Sequence, residues 1–177
     1  MLFLLRRSES VAVRRGSVRI SLRKKVDEMK VVQTFSTKLL SPPTERSAPV
    51  SRLIFQGRDT GLELPGATLE TSLEVGFGWL LFLTHDIPFE EGLEICLVGA
   101  NFELLDRAAL LPFNATGNFG SLEIVSDRIL RFRFTGKGLW QLELLDHPGF
   151  RLPLLSEPFE ATRPFGFTRR FILATGY

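Results

Sequence analysis

Between Leu69 and Phe77 the side chains alternate without a break. Leu69, Thr71, Leu73, Val75 and Phe77 fall on one side, Glu70, Ser72, Glu74 and Gly76 on the other. A period of two sends successive side chains to opposite faces, so this stretch predicts a strand with one face buried and one wet. Trp79 to Leu83 follows as an unbroken apolar run, the pattern of a strand covered on both faces. His85-Asp86-Ile87-Pro88 turns the chain, Leu93 to Val98 predicts the next strand, and Phe102 and Leu104 alternate with polar partners before Asp106.

The second half repeats this grammar. Leu122 and Ile124 lead into the turn signal Ser126-Asp127-Arg128 and out along Ile129 to Thr135. There Leu130, Phe132 and Phe134 oppose Arg131, Arg133 and Thr135. Gly136-Lys137-Gly138 predicts another turn into Leu139 to Leu145, with Trp140, Leu142 and Leu144 facing one way, and Asp146-His147-Pro148-Gly149 ends the meander. A last strand spans Arg170 to Thr175.

Upstream, Val31 to Phe35 reads as a short strand, Leu40-Ser41-Pro42-Pro43-Thr44 as a stiff extended linker, Leu53 to Phe55 as an apolar run, and Gly61 to Gly66 as a loop. Arg107 to Leu111 is the one stretch with a helical flavour, limited to about a turn by Pro112. Eight or more short strands without a crossover helix predict an all-β fold, an antiparallel β-sandwich of jelly-roll or immunoglobulin-like type, with a closed barrel as the alternative. Prolines scattered along the chain suit the frayed edges of a sandwich. The recurring Pro88-Phe89, Pro112-Phe113, Pro158-Phe159 and Pro164-Phe165 read as strand ends where a ring plugs the rim of the core.

Composition sharpens this in two places. The 177 residues contain 16 Phe against one Tyr and two Trp, an apolar load without polar handles that belongs mostly inside. The formal charge of +2 hides an asymmetry: residues 1–25 carry eight basic side chains against Glu9 alone, leaving residues 26–177 at −5. Three domains of organisation follow. Residues 1–28 form a basic extension, disordered or an untranslated leader ahead of a start at Met29; 29–52 form an entry segment and linker; and 53–177 form a single β domain. A cationic arm for nucleic acid or an anionic membrane, or an organelle transit peptide, are the other readings of that extension. No run approaches the ~20 apolar residues of a spanning helix, and the short apolar start lacks the form of a secretory signal, so the expected location is cytoplasmic.

Cys96 is the single cysteine, which excludes an internal disulfide and a cysteine-based zinc site. Lying in an apolar run with no activating neighbour in sequence, it reads as a small core residue. Phosphate-cradling loops, nucleophile elbows and zinc-ligand spacings are all missing. The one polar constellation is the pair His85-Asp86 and Asp146-His147, which holds both histidines. If the two turns met at one edge, they would suit a divalent metal or acid–base work; as separate turns, each Asp serves its local backbone. Arg131, Arg133 and Lys137 could carry a nucleic-acid backbone, but alternation points the rings of Phe132 and Phe134 away from them, which disfavours that partner. Asn114-Ala115-Thr116 matches a glycosylation acceptor of the kind met by chance.

The expected function is a non-enzymatic β-sandwich module that binds a protein partner or assembles with itself. A carrier of a small apolar ligand and a metal-dependent enzyme using the His/Asp pairs are the alternatives. An exposed apolar patch favours the first, a sealed apolar cavity of ~300 Å³ or more the second. Mass spectrometry of the native N-terminus is expected to find Met29 first; peptides from residues 1–28 in the mature protein would contradict a start there.

Overall fold

The computed structural model describes residues 28–44, 47–87, 91–111, 118–134, 138–153 and 157–176. These residues are all-β, without a helix, and lie in three open antiparallel sheets. The largest joins β1 (Lys30–Val32), β5 (Thr68–Val75), β6 (Gly78–Thr84), β7 (Leu93–Gly99), β8 (Leu104–Leu110) and β12 (Ala161–Thr162), in that order. A four-stranded sheet runs β13 (Thr168–Thr175), β11 (Leu139–Phe150), β10 (Ile129–Phe134), β9 (Phe119–Ile124). The smallest runs β2 (Phe35–Ser41), β3 (Val50–Phe55), β4 (Arg58–Pro65). The arrangement is that of a β-sandwich, and none of the sheets closes into a barrel.

The continuous apolar runs set the layering. On β6, Leu80 and Phe82 pack toward Phe132, Phe134, Trp140 and Leu142 of the four-stranded sheet. Leu81 and Leu83 point the opposite way, toward Phe35, Leu53 and Leu64 of the three-stranded sheet. β7 divides likewise, Leu93, Ile95 and Leu97 joining the first core and Cys96 and Val98 the second. The β6–β7 pair at the middle of the six-stranded sheet is therefore covered on both faces, as its near-continuous apolar runs require. The turn from β5 into β6 brings the backbone so close to β7 that a Cβ on Gly78 would collide with the Val98 carbonyl.

Bulges explain where the period of two misleads. Leu69 shares a face with Leu73 by sequence alone, yet a register shift between Leu69 and Thr71 turns it toward the second core while Leu73 and Val75 stay in the first. Gly61, expected in a loop, lies inside β4 with φ of 79°, its amide held by Asp59 Oδ1 at 2.8 Å. β11 continues through Asp146-His147-Pro148 to Phe150, because an irregularity between Leu144 and Gly149 lets the chain pass a proline without losing β13.

Residues 29–52, read as entry segment and linker, contribute β1, β2 and the start of β3, and Met29 is buried in the first core. The adjacent Leu39 and Leu40 break the alternation that would have revealed β2. The helical flavour of Arg107 to Leu111 gives way to β8, where Ile95 and Glu94 of β7 sit opposite Ala108 and Ala109; tertiary pairing overrides local propensity. The Asn114-Ala115-Thr116 motif, most of the Gly136-Lys137-Gly138 turn and the basic extension before residue 28 lie outside the described residues.

Two-faced burial makes a specific demand on stability. Leu80→Ala and Leu81→Ala, neighbours on opposite faces, are each expected to cost ~2–5 kcal/mol in urea unfolding. A cost below ~0.5 kcal/mol at either position would mean one face of β6 is wet.

Candidate functional site

One side of the sandwich is closed by charge instead of by strand pairing. Beyond β11 the chain returns through β12, which pairs with only Leu110 and Ala109 of β8. The rest of that β8 edge is served by side chains. Arg163 is 1% exposed at its side chain and donates from Nη1 to Asp106 Oδ1 at 3.1 Å and from Nη2 to the Phe171 carbonyl at 3.0 Å. Asp106 Oδ2 accepts from the backbone amides of Arg170 at 2.6 Å and Phe171 at 3.4 Å. A β8 carboxylate thus occupies hydrogen-bonding positions that a further strand would otherwise fill along β13. The pair stitches the six-stranded sheet to the four-stranded one.

Glu157 extends the network. Its Oε1 lies 2.9 Å from Arg163 Nε, a charge contact in which the N–H points elsewhere, and accepts from Arg169 Nε at 3.3 Å. The Arg163 guanidinium also lies 4.2 Å over the Phe171 ring. Two carboxylates and two guanidiniums balance, so this buried cluster presents no net charge to a ligand. Burial lowers the Arg163 pKa, and the Asp106 and Glu157 charges oppose that shift. The arginine remains a cation, held by its neighbours.

Over this neutral floor the chain exposes aromatic rings. Phe159 is 102% exposed, Phe165 81%, Phe150 70% and Phe167 49%. Phe150 stacks on Phe167 with centroids 6.0 Å apart, and Phe165 meets Phe167 edge-on at 5.5 Å. Phe159 and Phe165 stand on the rim of a cleft of about 470 Å³, whose walls include Pro153, Pro158 and Pro164 and whose floor is Glu157, Arg163 and Arg169. The Pro-Phe pairs at 158–159 and 164–165 therefore hold their rings outside the core, correcting the expectation that they plug its rim. The prolines do restrict the backbone, but the cores are already filled by β6, β7, β10 and β11, leaving these rings nothing internal to cover.

The predicted metal candidates occupy separate settings. His85 is buried after β6, its Nε2 3.1 Å from Glu94 Oε1 and its ring packed so tightly that a Cβ on Gly92 would stand 2.5 Å from Nδ1. Asp86 is exposed at φ of 56°, its amide donating to Glu91 Oε1 at 2.9 Å. Asp146, on β11 of the other sheet, pairs with Arg128 at 2.6 Å, and His147 is exposed beside it. Among the described residues no group of three or more His, Cys, Asp or Glu is arranged to hold a metal ion. Cys96 is fully buried, and burial together with the Glu94 charge pushes its thiol well above the ordinary range. Arg131 lies on the outer face with Nε donating to Gln141 Oε1 at 3.2 Å, while Phe132 and Phe134 are inside.

Sequence reading missed Glu94, the partner that explains His85. Glu94 is 1% exposed, and Arg107 grips both its oxygens, Nε to Oε2 at 2.9 Å and Nη2 to Oε1 at 3.1 Å. Burial pushes this carboxyl up, but hydrogen bonds from His85 and Arg107 and the Arg107 charge outweigh burial and hold it below the ordinary value. A lone acidic residue in an apolar strand was the available signal, since buried carboxylates require partners.

No family of proteins, no curated protein and no solved structure matches this chain.

Two consequences can be measured. A depressed carboxyl stabilises the fold above its unfolded value of 4.5 and loses that contribution as pH falls through its lower folded value. Glu94→Gln is therefore expected to lower stability at neutral pH by ~1–3 kcal/mol and to flatten the loss of stability below pH 4.5; a parallel acid limb would show that Glu94 is not the group responsible. Asp106→Asn keeps an acceptor for the β13 amides but leaves Arg163 without its Asp106 charge partner, and should cost ~3–5 kcal/mol in denaturant unfolding. A loss under ~1 kcal/mol would show that the stitch is dispensable.

Proposed function

We propose that this chain is a non-enzymatic β-sandwich module that engages a protein through the aromatic face formed by Phe150, Phe159, Phe165 and Phe167. The observation that carries this reading is the exposure of four rings around one cleft: Phe150 and Phe165 each in contact with Phe167, and Phe159 sharing the cleft's rim with Phe165. An exposed phenylalanine gains nothing from water and presents a large apolar body on a short, stiff side chain, the property of an interface anchor. Contiguous apolar surface of this kind on a folded domain marks a contact site. The prolines at 153, 158 and 164 reduce the backbone freedom lost when the rings are immobilised.

The chemistry around the cleft supports a partner over a reaction. Arg163 and Arg169 are engaged by Asp106, Glu157 and backbone carbonyls, so their charges are directed into the fold. The buried thiol of Cys96 lies on the other side of the six-stranded sheet from the first core and is a poor nucleophile. An open cleft with exposed rings on its rim is also unlike the sealed apolar chamber a carrier needs.

The reading predicts that immobilised full-length chain retains a defined protein from its source cells, and that Phe159→Ser with Phe165→Ser abolishes retention while leaving the urea midpoint unchanged. Equal retention by both chains would place binding on another face.

A further inference from the structure

The geometry points to a second copy of this chain as the occupant of the aromatic face, paired about a two-fold axis. This inference rests on the docking reading above and names its partner. The exposed area is what a dimer needs. The four rings together expose about three phenylalanines' worth of surface, ~450–750 Å², and Leu152, 50% exposed, adds to it. A stable protein interface takes ~800 Å² from each partner, so one copy supplies nearly the whole apolar contribution of one side.

The shape of the face suits its own copy. A two-fold interface places the same patch on both subunits, so the patch must contain both a knob and the hole that receives it. Phe159 projects fully exposed, and the cleft of about 470 Å³ beside it is walled by Pro153, Pro158, Pro164 and Phe165. When two such faces meet, Phe159 of each copy enters the cleft of the other. Its ring then covers a floor that is already neutral, and no charge is stranded beneath it.

Charge at the margin is self-complementary too. Arg151 adjoins Phe150 and Glu160 adjoins Phe159, both exposed and opposite in sign. A face carrying both signs can pair with itself under two-fold rotation, Arg151 of one copy meeting Glu160 of the other; a face of one sign would repel its copy.

Sedimentation velocity of the full chain across a wide concentration range tests this. The expected result is a reversible monomer–dimer equilibrium whose dissociation constant rises roughly tenfold or more in Phe159→Ser and again in Phe165→Ser, with unchanged urea midpoints. Arg151→Glu and Glu160→Arg should each weaken the dimer, and the two together should restore it. A dimer indifferent to the aromatic substitutions overturns the inference, because the contact then lies elsewhere. A chain that stays monomeric but retains a different protein through the same rings also overturns it, while the docking reading stands. A monomer that retains nothing overturns both.

Discussion

Strands β6 and β7 are apolar toward both faces, and the architecture follows from the need to cover them twice. Leu80 and Phe82 cannot be buried by the sheet that buries Leu81 and Leu83, because adjacent side chains point apart. A single covering sheet would leave half of this hairpin in water. The four-stranded sheet takes one face and the small β2–β3–β4 sheet takes the other. The central pair thus belongs to two cores, and unfolding either face exposes part of it.

That economy of cover leaves a margin where strand pairing stops and side chains take over. β12 pairs with two residues of β8, and beyond it Asp106 and Arg163 satisfy backbone groups of β13. Polar closure of this sort suits a sandwich margin: it satisfies backbone groups that would otherwise offer a template to another chain's edge. Under the proposed reading, association then runs through the aromatic rings beside the cluster instead of through backbone pairing. Fold and proposed function meet at residues 157–169, where one segment both helps close the sandwich and displays three of the four rings.

Much of the fold was legible because it is written in local periodicity. The two-faced nature of Trp79–Leu83, the hairpin at Ser126-Asp127-Arg128 and the inward set Leu130, Phe132 and Phe134 all follow from spacing. β2, the Leu69 side of β5 and the passage of β11 through Pro148 were hidden, since bulges and adjacent leucines break that spacing while long-range pairing maintains the strand. The candidate face was less legible still. Pro-Phe pairs stood out in the sequence, but whether their rings plug a core or face water depends on what already fills the core, which is a property of the assembled layers. Asp106 lies far from Arg163 in sequence and Glu94 sits across a strand pair from His85, and no motif announces either.

Native-state hydrogen exchange tests the double-covered hairpin most directly. The amides of Leu80–Leu83 and Ile95–Val98 are expected to exchange last, with an opening free energy equal to that of global unfolding, because both cores must open to release them. If these amides exchange through smaller openings than those of β10 and β11, the hairpin is not the shared centre of the fold and the layered account fails.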